Sequence, residues 1–398
     1  MTDKGIDKRL QAYRIYKRFI RILLTICGCS YSSTKSKSTN YSVYVLLMMI
    51  LYAILNVHMC YFHRHNLPIM MKCIGITIST FGAILKVGTF LTNHNYLTSH
   101  HEMLDDLFEE ELVRNEKIRM IMFLSLPTTC FLAFTYSAII IACMLAFYMP
   151  TYLLIIHDLC HLNLRTANYT LPVTKGYGYF WTVPNNFLYY FHLLYETNTI
   201  SFSCLTACGM DSAFGFYVYQ FSSTMRAMTF RIMNPPPTEK FSDVLKACVV
   251  KHQKLLPYRD MLEHMYGPIV FWHIVTNAVL LCALIYEMSS SFSDFNIASS
   301  FVSLTYAAIK LLQTFMYAWY GTVLTDAFED FRNGVYFGEW HNYRLDHHVR
   351  TNIVMIMMQK PMTINAFFSS VDMIMFTNFV NTTMSYFFLL QSVGEKGK

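Results

Sequence analysis

The stretch YSVYVLLMMILYAILNVHMCYF, residues 41–62, decides the fold. It lies inside a run from Ser38 to His63 that holds no Asp, Glu, Lys or Arg, and a second such run extends from Met120 to His157. About 20 apolar residues let a helix cross the hydrocarbon of a bilayer, and both runs are long enough. Working outward from them, seven apolar segments emerge: 41–62, 69–92, 120–148, 186–210, 266–288, 297–324 and 371–393. Lys310 and Asp372 interrupt the last two.

Composition agrees. Of 398 residues, 54% are hydrophobic and only 14% charged, against about 25% charged in soluble domains. The chain reads as an all-α membrane protein with seven transmembrane helices. The first 40 residues are basic and polar, so they do not form a cleavable signal peptide. The 11 cysteines fall mostly in apolar segments, where a free thiol behaves as a small apolar group, and no disulfide framework is indicated.

Lys and Arg set the orientation, because they concentrate on the cytoplasmic side. With the N-terminus cytoplasmic, the inside segments hold 23 of them and the outside segments five. Seven spans then leave the C-terminus extracellular. This orientation, and the absence of Asp-Arg-Tyr and Asn-Pro-x-x-Tyr signatures, disfavour a G-protein-coupled receptor. The sequon Asn168-Tyr169-Thr170 falls in the long outside loop, where a glycan could attach.

Three inside stretches are amphipathic. HEMLDDLFEEELVRNEKIRMIMF puts Leu104, Leu107, Phe108 and Leu112 on one face. KFSDVLKACVVKHQKLLPYRDMLEHMYG does the same with Phe241, Leu245, Cys248, Val249 and Leu256, after the break at Asn234-Pro235-Pro236-Pro237. EWHNYRLDHHVRTNIVMIMMQKP closes on Pro361. Segments four to seven are therefore expected to continue as cytoplasmic helical extensions, an anchor layer that contacts neighbouring subunits. The alternative is a set of isolated helices on the membrane surface.

No Walker-type loop or zinc pattern is present, and no constellation of Ser, His and carboxylates points to an enzyme. HDLCHLNLR carries His157, Asp158, Cys160 and His161 near one helical face, but a polar loop start explains it better than a metal site. No metal, cofactor or nucleic acid is expected.

Charges inside the segments are costly unless paired. Lys72 is placed to snorkel outward and Lys86 to reach the inner boundary. Glu196 and Lys310 lie at comparable depth and are expected to pair partially or to make polar contacts near a ligand pocket. Asp372 starts the last helix, where a carboxylate favours the N-terminus.

The chain resembles the insect odorant receptor family. The motifs that carry the resemblance are LPVTKGYGYFWTVPNN, LKACVVKHQKLL, YAWYGTVLTDAFEDFRNGVYFGEWHNY, MMQKPMTINAFF and FTNFVNTTMSYFFLL. Gustatory receptors share the superfamily, but their last helix carries Thr-Tyr, five apolar residues and Gln-Phe. Here Ser385-Tyr386 is followed by four residues and then Gln391-Ser392, which favours an odorant receptor.

The resemblance implies a subunit of a ligand-gated, non-selective cation channel in the plasma membrane of a sensory dendrite. Such subunits form a heterotetramer with the co-receptor Orco, bind a small volatile odorant and line a central pore with the last helix. By alignment on the Tyr of that helix, Leu389 and Val393 would narrow the pore. Asn378, Thr382 and Ser385 lie near the same face further inward, with Gln391 and Ser392 at the outer mouth. The implied odorant pocket lies in the outer halves of spans two, three, four and six. Its candidates are Ile76, Thr80, Ser137, Ile140, Met144, Tyr190, Leu194, Asn198, Phe301, Thr305 and Tyr306; a mostly apolar site with few polar groups suits a volatile. The competing readings are a gustatory-type channel acting alone, and a transporter or G-protein-coupled receptor.

Overall fold

A computed structural model describes residues 3–29, 35–160, 187–291, 297–338, 340, 347–359 and 362–396. The chain order is α1 (Asp3–Ile26), α2 (Lys35–Phe62), α3 (Leu67–Arg114), α4 (Glu116–Met122), α5 (Leu126–Cys160), α6 (Phe187–Met233), α7 (Phe241–Ser291), α8 (Ile297–Phe337) and α9 (His347–Met358). The two-residue strands β1 (Asn365–Ala366) and β2 (Ser369–Ser370) then precede α10 (Met373–Lys396). Every long element is helical, as the composition requires.

Local chemistry sets the helix boundaries. The Asn66 side chain accepts from Ile69 N at 3.5 Å, and Pro68 sits in the first turn, where its missing N–H costs nothing. Asn115 turns extended, ends α3 and caps α4 by accepting from Lys117 N. Asp372 accepts from Met375 N at 2.8 Å and starts α10, the helix-start role read from its sequence position.

Four stretches are long and apolar enough to cross a membrane: Thr39–Phe62, Ile69–Arg114, Glu116–His157 and Phe241–Cys282. They carry the first, second, third and fifth apolar segments. The fourth, sixth and seventh lie mainly on α6, α8 and α10. On α6 the polar groups are buried: every residue from Cys208 to Met225 is inside. It is the central helix, packed by α1, α3, α5 and α8.

Four features depart from the sequence reading. The polar N-terminal segment contains a helix, α1, which docks on the core. Tyr13 stacks on Phe108 at 5.1 Å and Phe216 at 5.8 Å, and burial, reinforced by Asp105, pushes its phenol pKa up. Second, the amphipathic stretch 101–114 is the continuation of the second segment within one helix. Third, the segment 120–148 is broken after Met122. The freed Met122 carbonyl accepts from the Tyr219 hydroxyl at 3.1 Å and the Ser223 hydroxyl at 3.0 Å, both on α6, so the break leaves that group satisfied. Fourth, the seventh segment does not continue a helix from the inside stretch. The β1–β2 ladder, register Asn365↔Ser370, separates α9 from α10. Its turn places Phe367 at φ 57°, a region non-glycine residues seldom occupy, with Phe271 edge-on to the ring at 5.1 Å.

The charged end of the bundle is tied ionically. Glu111, fully buried on α3, pairs with Arg231 of α6 at 3.3 Å and with Lys251 of α7. Lys251 also reaches Glu110 at 2.9 Å. Gln220 of α6 donates to Tyr13 and Asp105, joining α1 and α3 to the same layer.

Gly321 on α8 faces the Val371 carbonyl so closely that a Cβ would overlap it. At Gly88 a Cβ would meet nothing within 4 Å. Gly321→Ala is expected to destabilise by about 1–3 kcal/mol through overpacking. Gly88→Ala should be neutral or stabilising, by up to about 1 kcal/mol. Thermal unfolding midpoints of the detergent-solubilised variants check the contrast.

Candidate functional site

The polar centre of the bundle is Asp211 on α6. Its Oδ1 accepts from Lys86 Nζ of α3 at 2.5 Å and from the Tyr317 hydroxyl of α8 at 2.5 Å. Its Oδ2 accepts from the Tyr136 hydroxyl of α5 at 2.7 Å and from Gln313 Nε2 of α8 at 2.8 Å. An ionised carboxylate offers about four lone-pair sites, and all four are used. All five residues are nearly fully buried. His273 of α7 approaches Gln313 at 3.5 Å, and Asn277 donates to Thr314 at 3.1 Å, so α7 joins the same polar layer.

Toward the apolar end the helices form a second, looser polar corner. Tyr306 of α8 donates to the Gly75 carbonyl at 3.2 Å and shares a 2.5 Å hydrogen bond with Ser79. The Lys310 ammonium lies over the Tyr306 ring, 5.3 Å from its centroid, a cation–π contact. Spans two and six thus meet here through α3 and α8.

The residues chosen from sequence divide. Thr80, Ser137 and Ile140 are buried between helices, while Ile76, Met144, Thr305 and Tyr306 are half-buried. Tyr190, Leu194 and Asn198 are exposed and turn away from the bundle; the inward face of α6 there is Tyr189, Leu193, Glu196 and Thr199. Phe301 lies on α8, and Asn168 and His161 are outside the described residues. Among the described residues Glu196 and Lys310 are not hydrogen-bonded to each other; the carboxylate bonded to a buried lysine is Asp211, on Lys86. Sequence reasoning missed Asp211 because segment four was closed at 210. A signal was present: Asp211 is the single charge between Glu196 and Arg226.

On α10, Met375, Phe379 and Thr383 face inward, and Cys282 of α7 donates to the Thr383 carbonyl at 3.5 Å. Asn378, Thr382, Ser385 and Leu389 are exposed on the other side, Leu389 by 58%. Gln391 and Val393 lie further along the same helix. Among the described residues no group of three or more His, Cys, Asp or Glu could hold a metal ion.

A bundle of long helices, four of them carrying stretches apolar enough to cross a membrane, around a buried polar centre fits a multi-pass membrane protein. A family model described as "7tm Odorant receptor" matches residues 66–384, and the chain belongs to that insect odorant receptor family. Odorant receptor 94a of Drosophila melanogaster is 22% identical over 245 residues, 61% of this chain and 63% of that protein. Odorant receptor 9a of the same species is 23% identical over 196 residues, 48% of this chain and 49% of that protein. The match therefore spans under two thirds of the length of these relatives. Among solved structures, the olfactory receptor OR5 from Machilis hrabei superposes with a TM-score of 0.78 at 17% identity, covering 96% of this chain and 98% of that one. Its complex with eugenol gives 0.75 at 17% identity, covering 97% and 99%. At that identity the likeness concerns the fold.

Asp211→Leu strands Lys86 in the interior and is expected to cost about 3–5 kcal/mol. Lys86→Met combined with Asp211→Leu should recover part of that loss. Unfolding midpoints of the three proteins in detergent test the coupling; a double variant no better than Asp211→Leu would disprove it.

Proposed function

We propose that this chain is the odorant-binding subunit of a non-selective cation channel, assembled as a heterotetramer with the co-receptor Orco in the plasma membrane of sensory neurons. The carrying observation is the two-sidedness of α10. One side is held by α7 and α8 through Met375, Phe379 and Thr383. The other presents Asn378, Thr382, Ser385 and Leu389 to the outside of the protomer. In a tetramer that open stripe would face the symmetry axis, polar in its inner part and apolar toward the exit. Leu389 and Val393 would then narrow the closed pore, because an apolar ring gates by dewetting, with Gln391 at the outer mouth.

The seven apolar segments are proposed to cross the membrane with the N-terminus cytoplasmic and the C-terminus extracellular, as the Lys/Arg asymmetry favours. The charged end then lies in the cytoplasm, where α7 before residue 266 and α9 form the anchor layer. The odorant site is proposed in the outer half between α3, α5, α6 and α8. Its wall is drawn from Ile76, Thr80, Ser137, Ile140, Met144, Phe301, Thr305 and Tyr306, with Glu196 and Leu193 in place of the outward-turned Tyr190, Leu194 and Asn198. Asn168 is the proposed glycan acceptor. Seven proposed spans with an inside N-terminus favour this reading over a G-protein-coupled receptor.

Cells expressing the chain with the co-receptor are expected to pass cation current when a volatile panel is applied, and cells expressing the chain alone are not. Leu389→Ser should raise the current recorded without odorant. Odorant-evoked current from the chain alone would support a gustatory-type channel instead, and a response requiring GTP turnover without direct current would overturn the channel reading.

A further inference from the structure

The N-terminal helix α1 carries seven Lys and Arg against two Asp, and its side chains fall into distinct strips. Tyr13, Tyr16, Ile20, Leu23 and Leu24 are buried against the bundle. The opposite side holds two parallel rows. Ile15, Ile22 and Ile26 are 55%, 48% and 41% exposed, and their helical spacing puts them on one strip. Arg14, Arg18 and Arg21 form a second exposed strip beside the first. Lys17 and Arg21 reach Asp105 of α3 at 3.0 Å and 3.7 Å. Among the described residues no ion pair or hydrogen bond engages the side chains of Arg14 and Arg18.

Contacts fix where this face lies. Tyr41, at the start of the first apolar segment, donates its hydroxyl to the Ile26 carbonyl at 2.9 Å. Leu23 packs on Gly209, at the end of the fourth segment, where an added Cβ would meet it at 3.4 Å. Phe19 lies against Phe134 of α5, within the third segment, at 4.8 Å. Lys17 turns instead to Asp105 and Glu109 at the charged end of α3. Around the helix at about 100° per residue, the order is therefore Phe19 on α5, the isoleucine strip, the arginine strip, and Lys17 on α3. Hydrocarbon, head groups and the charged end follow in the same order across a bilayer surface. A nucleic acid would satisfy the arginines and leave the isoleucines in water. A zwitterionic lipid would shelter the isoleucines and leave the arginine charge uncancelled. An anionic phospholipid does both.

We propose that the exposed face of α1 is a binding site for anionic phospholipid, with the head group on Arg14 and Arg18 and the acyl chains against Ile15, Ile22 and Ile26. Two arginines at a membrane surface enrich an anionic lipid over a zwitterionic one by on the order of 10-fold. On its buried side α1 is tied to the central helix, because Tyr16 donates to the Ser212 carbonyl of α6 at 3.3 Å. The lipid therefore holds a helix that bears directly on α6.

The test places the photoreactive p-benzoylphenylalanine at Ile22 of the full chain, reconstituted with the co-receptor in nanodiscs of phosphatidylcholine with a minority of phosphatidylserine. Irradiation joins the label to whatever covers the strip, and mass spectrometry reads the adduct. Phospholipid adducts are expected, with phosphatidylserine enriched over its share of the nanodisc by on the order of 10-fold. Arg14→Gln combined with Arg18→Gln should return the ratio to that share without abolishing the adducts. Arg14→Lys combined with Arg18→Lys should keep most of the enrichment. The same label at Ile54, exposed on α2, gives the ratio for unselected lipid and shows that the label reacts in the folded protein. Against that control, a crosslink from position 22 to another protein chain, or no adduct at all, overturns the assignment. So does a ratio equal to the control's, or an enrichment that survives the paired Gln variant. The readout is lipid identity rather than current, so the channel reading stands or falls separately.

Discussion

The Asp211 carboxylate is the constraint on which the bundle depends. One buried side chain on the central helix holds Lys86 of α3, Tyr136 of α5, and Gln313 and Tyr317 of α8. Removing such a group from water costs several kcal/mol, repaid only when geometry and hydrogen bonding are complete. Here every acceptor position is used. The network therefore fixes how α3, α5 and α8 are rotated and how far they slide along α6. Apolar packing alone would not, because one Leu or Phe contact resembles the next.

Two further polar layers extend this logic toward the charged end. Glu111 joins α3, α6 and α7 through Arg231 and Lys251. Gln220 brings in α1 through Tyr13. Between these layers the packing is aromatic and close, with α6 buried over its whole middle. The corner around Tyr306 is different in kind: Tyr306 and Ser79 are half-buried. Ligand-binding regions are drawn from the less stable parts of a fold, which is why the odorant site is proposed at this corner.

Much of the fold was legible. Long charge-free runs favour the helix in an apolar solvent, and the seven segments lie mainly on helices among the described residues. Asn66, Asn115 and Asp372 announce helix starts by the ordinary capping chemistry of short polar side chains. The three prolines after Asn234 announce the break before α7. The misses have physical causes. The basic N-terminal segment hid α1 because its apolar residues are interrupted by Lys and Arg and form no continuous run. The break after Met122 was invisible because its cost is met by Tyr219 and Ser223, nearly 100 residues away.

The sequence by itself determined which segments are helical, where several of them start, and on which side positive charge gathers, because those follow from local composition. Tertiary structure alone decided which way each helix faces and which charge meets which. In a soluble helix an apolar stripe marks the buried side. In lipid both sides are apolar and the stripe vanishes, so nothing local distinguishes Tyr190 from Tyr189 or Leu194 from Leu193. The same holds for the charges. Glu196 and Lys310 matched in depth along their helices, but pairing depends on rotation and neighbours, and these placed Asp211 among the donors and left Lys310 facing the Tyr306 ring.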